Sequence, residues 1–150
     1  AHRDGLWHKT IHVWVINDKN EVLLQYRCAQ KKLYRNMWDT SFAGHIDAGE
    51  SPIEAVIREG KEELGIDVDL EKLEFLMTMV EKVKYEQIVS NEFIDVFVLR
   101  QNVDINKIAL QEEEVAEAKY VSMNEFFEIV ENGNICPHKM IYKVLKELWK

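Results

Sequence analysis

Three glutamates, Glu59, Glu62 and Glu63, stand within one and a half helical turns beside Arg58 in the stretch GHIDAGESPIEAVIREGKEELGI, residues 44–66. Carboxylate oxygens crowded in this way suit a hard divalent cation, and Mg²⁺ in particular keeps several waters and bridges protein carboxylates to substrate phosphates. Gly44 and Gly49 allow a backbone turn that side chains would obstruct, so a main-chain oxygen at Gly44 can approach the same ion. An acidic chain could then take an acidic substrate through the metal. The competing reading is a solvated acidic face. The like-charge pair Glu59 and Glu63 at i,i+4 costs only about 0.2–0.5 kcal/mol, and the penalty of Glu62 and Glu63 near the negative end of a helix dipole is also small.

The helix that must carry these groups has complete boundary signals. Ser51 is an N-cap, Pro52 fits the first helical position, Glu54 closes a capping box and Gly65 is a stop. At roughly 100° per residue, Ile53, Val56, Ile57, Gly60 and Leu64 form one stripe expected to pack on a sheet, with Glu63, Glu59 and Glu62 around its flank. Ahead of the helix, residues 11–16 (IHVWVI) read as a strand, 17–20 (NDKN) as a turn, and 21–27 (EVLLQYR) as the second strand of a hairpin. Residues 28–39 read as a polar, basic loop and 40–46 as a short strand leading into the glycine-bearing turn. Beyond the helix, 73–89, 93–100 and 118–121 are strand-like, while 123–131 and 139–149 have helical spacing. Trp7 and Trp14 are expected to pack the first strand and Trp149 the last helix. Strands outnumber helices and hairpins mix with a crossover, which predicts a mixed β-sheet flanked by helices.

Composition narrows the function classes. A chain of 150 residues, 47% apolar and 10% aromatic, suits one domain over 1–150 with a core that needs no staples. The sequence begins with Ala, and its first residues read like the middle of a domain, so residues are expected to be missing upstream. No apolar run approaches the roughly 18 residues of a membrane span, and the opening AHRDGLWHKT lacks the apolar centre of a signal peptide. A cytoplasmic protein is expected. Cys28 and Cys136 fit neither a disulfide framework nor a zinc spacing. A net charge of -8 argues against a nucleic-acid or anionic-membrane surface.

The stretch also resembles the Nudix box, the signature of Nudix hydrolases, at Gly44, Glu50, Arg58, Glu59, Glu62, Glu63, Gly65 and Ile66. Gly60 departs from it, standing where the family has a bulky aliphatic, and closer packing of helix on sheet is expected there. The resemblance implies an α/β (α+β) fold, the Nudix-type α/β/α sandwich, and hydrolysis of a diphosphate bond in a nucleoside di- or triphosphate or a nucleoside diphosphate derivative. It implies Mg²⁺ or Mn²⁺ held by Glu59, Glu62 and Glu63, with Glu59 helping to deprotonate the attacking water. Arg58 would orient Glu59, and Glu50 would serve the turn. Many members add a glutamate ahead of the final strand; Glu114, six residues before Tyr120, is the candidate in QEEE (111–114), against the reading of that run as a solvated loop. A homodimer is a family-level expectation.

A narrower frame, His8, Trp14, Trp38-Asp39-Thr40-Ser41, Gly44-His45 and Gly49-Glu50-Ser51, resembles isopentenyl diphosphate isomerase, a Nudix-fold enzyme. That reaction needs a cysteine just before the Gly-His pair, where this chain has Ala43. Of the isomerase's paired glutamates Glu92 matches one, but Ser90 stands at the other. His2, His8 and His45 are counterparts of its metal-binding histidines, and local hydrogen bonding is their competing role. Hydrolysis is therefore expected over isomerisation, with a noncatalytic nucleotide-binding module as a third reading. For the substrate, Arg27 and Arg35 with Lys31 and Lys32 are candidates to meet phosphates, and Tyr34, Trp38 and Tyr85 to stack on a base. Trp38 beside a strand is more often core, and a basic loop is usually just solvated.

Overall fold

A central strand buried on both faces organises the molecule. The computed structural model describes residues 7–27, 37–85, 88–108, 115–135 and 139–148. In β1 (Trp7–Val15) the alternate residues Ile11, Val13 and Val15 are fully buried on one face and Trp14 on the other. Such a strand must be covered twice, which explains its near-continuous apolar run. The chain continues through β2 (Glu21–Arg27), β3 (Trp38–Asp39), β4 (Phe42–His45), α1 (Pro52–Leu64), β5 (Leu73–Tyr85), β6 (Ile88–Leu99), β7 (Val115–Ser122), α2 (Met123–Glu131) and α3 (Lys139–Leu148). One sheet has the order β4-β1-β6-β5 and is mixed, with β1 and β6 parallel; the second has the order β3-β2-β7 and is antiparallel.

On one face Ile11, Val13, Phe42, Phe97 and Leu99 pack with Ala55, Val56 and Leu64 of α1. On the other, Trp14, Ile94, Val96 and Val98 pack with Phe126 of α2 and Ile141, Tyr142 and Leu145 of α3. The rings of Trp14, Phe126 and Tyr142 meet edge to face, the arrangement that ring quadrupoles favour. Helices thus cover both sides of the mixed sheet, as expected. No helix among the described residues is long and apolar enough to cross a membrane.

The predicted hairpin is corrected. The turn itself forms: Asn17 Oδ1 accepts from the backbone N–H groups of Lys19 and Glu21, and Asn20 takes a positive φ of 59°. Beyond the single bridge between Ile16 and Val22 the strands part, β1 into the four-stranded sheet and β2 into the other. Both edges of β1 are taken by β4 and β6 and both edges of β2 by β3 and β7, so neither has a ladder left for the other. The segment read as a loop to residue 39 ends in β3, which pairs with Gln25 and Tyr26. The first long strand stops at Tyr85 and the next begins at Ile88, so residues 88–89 belong to β6. The last strand is longer than the stretch read from sequence and begins at Val115.

Two hydroxyls stitch the sheets together just ahead of the glycine turn. Ser41 Oγ accepts from Val15 N at 2.8 Å and donates to the carbonyl of Leu23, linking β1 to β2. Thr40 Oγ1 donates to the carbonyl of Val13 at 2.8 Å. All are buried, where unmade hydrogen bonds are costly, so the segment leading to Gly44 is fixed in place.

Candidate active site

The acidic helix begins and ends on the residues that signal it. Ser51 Oγ accepts from Glu54 N while Glu54 Oε1 accepts from Ser51 N, and Gly65 closes the helix with φ 66°. Its buried side is rotated from the expected stripe. Val56, Gly60 and Leu64 are buried, but Ile53 and Ile57 are 39% and 42% exposed, and Ala55 and Glu63 are buried in their stead. Glu63 consequently lies under the helix, 7% exposed, and not on its flank. On this side of α1, Gln25 Nε2 of β2 donates to Glu63 Oε1 at 3.0 Å.

Gly60 shows the close approach expected of it. A β-carbon there would stand 3.1 Å from Val68 Cγ2 and 3.2 Å from Phe42 Cζ, so neighbouring side chains fill the space that a bulky aliphatic would take. Gly44 has a different reason to be bare. The carboxyl of Glu59 lies where a Gly44 side chain would go, directly over the backbone of β4.

Arg58 holds the rest of the cluster. Its Nε and Nη2 donate to the two oxygens of Glu50 at 2.9 and 3.0 Å, a fork-to-fork pair of the kind planar guanidinium favours. Nη2 also donates to the carbonyl of His45 at 2.9 Å, which ties the glycine turn to the helix. Nη1 donates to Glu59 Oε1 at 2.6 Å and to Glu62 Oε2 at 3.2 Å, and Asp47 lies 3.5 Å from Nε. Glu50 completes the turn by accepting from Asp47 N at 3.0 Å. The guanidinium beside Glu50 holds that carboxyl below the usual carboxylate range.

Glu63 is the opposite case. Burial first, then a hydrogen bond with the neighbouring Glu59 carboxyl and the charges of Glu59 and Asp39, push it well above the ordinary value. Asp39 is itself 5% exposed and accepts from Thr40 N at 2.7 Å. Two adjacent carboxyl groups at the edge of the core, with a third close by, are a site where a divalent cation can stand. All donors are oxygen, the chemistry hard cations require. Among the described residues no group of three or more His, Cys, Asp or Glu side chains is arranged to hold a metal ion. Mg²⁺ suits the Glu59 and Glu63 pair, because it takes one or two carboxylates and fills its remaining positions with water and substrate phosphate.

The expected residues thus fall into three groups. Glu59, Glu63 and Gly44 come together, and Arg58 and Glu50 brace them; Glu62 joins through Arg58 on the exposed side of the helix. Arg27 closes β2 opposite Val115, and Tyr85 closes β5. Trp38 is half-buried, its edge toward Tyr26 at 5.0 Å and one face under the ammonium of Lys119 at 4.7 Å. His2, Cys28, Lys31, Lys32, Tyr34, Arg35, Gln111, Glu112, Glu113, Glu114, Cys136 and Trp149 lie outside the described residues. Of the isomerase-like histidines, His45 Nε2 stands 3.6 Å from Glu92 Oε1 and its ring is 5.6 Å from that of His8. The nearby Glu92 carboxylate raises the His45 imidazole above its ordinary value, against the opposing effect of burial.

Gln25 was missed, and Asp39 was named only within the isomerase-like frame. The signal existed for Gln25: it follows Leu23 by two residues in an apolar strand, so it shares the face on which Leu23 meets the cluster under α1. A polar residue at an inward position needs a partner.

A NUDIX domain model matches residues 6–142 of the chain. The Arabidopsis thaliana protein Nudix hydrolase 3 is 33% identical over 131 residues, which is 84% of this chain and 17% of that protein. An uncharacterized Nudix hydrolase of Listeria monocytogenes is 33% identical over 134 residues, 89% of this chain and 75% of its own length. An isopentenyl-diphosphate Delta-isomerase of Photorhabdus laumondii is 36% identical over 101 residues, 66% of this chain and 57% of that enzyme. Among solved structures, DR0079 from Deinococcus radiodurans has TM-score 0.69 at 17% identity, covering 95% of this chain and 83% of that one. A bifunctional NMN adenylyltransferase/ADP ribose pyrophosphatase from Francisella tularensis has TM-score 0.69 at 20% identity, covering 95% of this chain and 41% of that one. At such identities the likeness is one of fold.

Proposed function

The chain belongs to the Nudix family, and on that premise we propose that it is a Mg²⁺-dependent hydrolase of a diphosphate bond. Its substrate is a nucleoside di- or triphosphate or another nucleoside diphosphate derivative, and Mn²⁺ is the alternative ion. The observation that carries the reading is the pair of Glu59 and the buried Glu63 set against the bare backbone of Gly44.

A divalent cation at that pair supplies neutralisation of the phosphate oxygens and lowers the pKa of water. The residues supply the geometry. Glu63, Glu59, Glu62 and the Gly44 carbonyl would hold the ion. Hydrolysis forms one bond from water oxygen to phosphorus, breaks the bridging P–O bond and releases a proton, which Glu59 accepts. Arg58 Nη1 on Glu59 Oε1 fixes the direction of that carboxylate, and the Glu50 fork on Arg58 keeps the guanidinium from swinging toward substrate phosphate. Glu114 is kept as the further glutamate outside the box, and Arg27, Arg35, Tyr34 and Trp38 as substrate contacts. Two structural neighbours support a nucleotide-type ligand: the Francisella protein is an ADP ribose pyrophosphatase, and the NUDIX domain of Shewanella oneidensis NrtR was solved with ADP ribose.

Isomerisation has one feature in its favour, the neighbouring His8, His45 and Glu92. Ala43 at the cysteine position removes the proton donor that the reaction needs, and function follows the site. The test is a phosphate-release screen over nucleoside di- and triphosphates, nucleotide sugars, dinucleoside polyphosphates and isopentenyl diphosphate, with and without Mg²⁺. Metal-dependent release that Glu63→Gln abolishes is the expected result. Tight nucleotide binding with no turnover across the panel would point instead to a noncatalytic module.

A further inference from the structure

We infer that Gln25 is a positioning residue for the metal site: its amide sets the orientation of the Glu63 carboxylate and thereby the affinity for the divalent cation. The inference rests on the proposal above that Glu63 is a metal ligand.

Gln25 is 6% exposed and Glu63 7%, and the bond between them, Nε2 to Oε1 at 3.0 Å, is buried. It crosses from one architectural unit to another, since α1 packs on β4 and β1 of the mixed sheet whereas Gln25 belongs to β2 of the antiparallel one. The amide must present its N–H₂ to the carboxylate, because its oxygen would repel it. Asp39 stands beside Gln25 in register on β3, and its own oxygen Oδ1 is engaged by Thr40 N. The strand therefore brings a neutral donor, and its neighbour a carboxylate, to the underside of the acidic helix.

The residue type is selective. A leucine at this inward position would continue the apolar strand and leave Glu63 Oε1 without its donor. A lysine would put a competing positive charge where the ion belongs, and a glutamate would add to Glu59, Glu63 and Asp39. Glutamine alone of these saturates one oxygen, leaves the other carboxylate lone pairs for the cation and preserves the negative charge that attracts it. Partners of metal ligands typically matter at the level of 10–100-fold in metal affinity.

The experiment is Mn²⁺ binding to the full chain by electron paramagnetic resonance of the free ion, with Gln25→Met, which keeps the volume and removes the donor. Circular dichroism and thermal unfolding without metal check that the variant folds, and Gln25→Asn supplies a shorter donor if it does not. The Mn²⁺ dissociation constant should rise roughly 10-fold, and the Mg²⁺ concentration for half-maximal activity should rise in parallel while kcat at saturating Mg²⁺ stays near wild type. A double-mutant cycle with Glu63→Gln then separates mechanisms: if Gln25 acts through Glu63, its replacement weakens Mn²⁺ binding no further once Glu63→Gln is in place. Additive losses, or unchanged Mn²⁺ affinity in folded Gln25→Met, overturn the inference. If the wild-type chain binds no Mn²⁺, the metal reading itself falls and the positioning role with it. If Glu63→Gln weakens binding and Gln25→Met does not, only the inference about Gln25 falls.

Discussion

Gly44 and Glu59 share one volume: a β-carbon on Gly44 would overlap Glu59 Cδ and Oε1. The glycine is bare because the Glu59 carboxylate lies against the strand where a side chain would stand. Gly44→Ala should therefore displace Glu59 from its bond with Arg58 without disturbing the core, since its backbone does not require a positive φ. We expect kcat to fall on the order of 100-fold, the scale of an ångström-sized misplacement, with a melting temperature close to wild type. Steady-state kinetics beside a thermal melt read both; unimpaired turnover would remove Glu59 from the chemistry.

The buried Glu63 makes the site a stability cost in the metal-free protein. Its folded pKa lies well above 4.5, so the folded state binds this proton more tightly than the unfolded one. The contribution is fully present below about pH 4.5, the unfolded value, and is lost as pH rises through the folded value. Glu63→Gln keeps the acceptor for Gln25 and has no charge to bury. In chelator it should melt with wild type at about pH 4 and above wild type at about pH 8, by roughly 2–4 °C for each kcal/mol relieved. Mg²⁺ should then raise the melting point of wild type more than that of the variant. A pH-independent difference between the two would show that Glu63 is not held protonated by its surroundings.

How far the sequence discloses this site depends on how local each signal is. Ser51, Glu54 and Gly65 act within one helical turn of themselves, and the structure places the ends of α1 on them. Arg58, Glu59 and Gly44 were legible through a spaced pattern carried by one segment of chain. Gln25 was not, and Asp39 only as part of an isomerase-like frame, because their place beside Glu63 comes from a second sheet, which no periodicity within residues 52–64 encodes. The exposure of Ile53 and Ile57 has the same origin: apolar spacing locates a face to within about one residue's rotation, and here the buried Glu63 shifted it. The hairpin failed at the same level, since turn chemistry at residues 17–20 fixes the reversal of the chain and not the partner of each strand.

Gly60 offers a test of packing separate from chemistry. Phe42, Ile66 and Val68 occupy the space around it, so restoring the aliphatic residue of the family pattern should overfill the helix–sheet contact. Gly60→Ile is expected to cost about 1–3 kcal/mol in urea unfolding, despite the better helix propensity of isoleucine. Equal or greater stability would mean that neighbouring side chains withdraw freely and that the glycine has no packing role.

The pair His45 and Glu92 gives a second pH dependence, of opposite chemical type. With Glu92 Oε1 3.6 Å from Nε2, the imidazolium is favoured and its pKa lies above 6.5. Protonated His45 therefore adds stability below about pH 6.5, the unfolded value, and the increment is lost as pH rises through the raised folded value. The imidazole side chain is 54% exposed, so solvent screening keeps the gain small. Glu92→Gln should lower the midpoint of the His45 proton resonances toward 6.5, while Glu59 and Asp47, which also raise it, keep part of the shift. In melts, wild type should exceed the variant at about pH 5.5 and converge with it above the folded pKa. A midpoint unmoved by the substitution would assign the shift to Glu59 and Asp47, and would leave Glu92 without electrostatic influence on the turn.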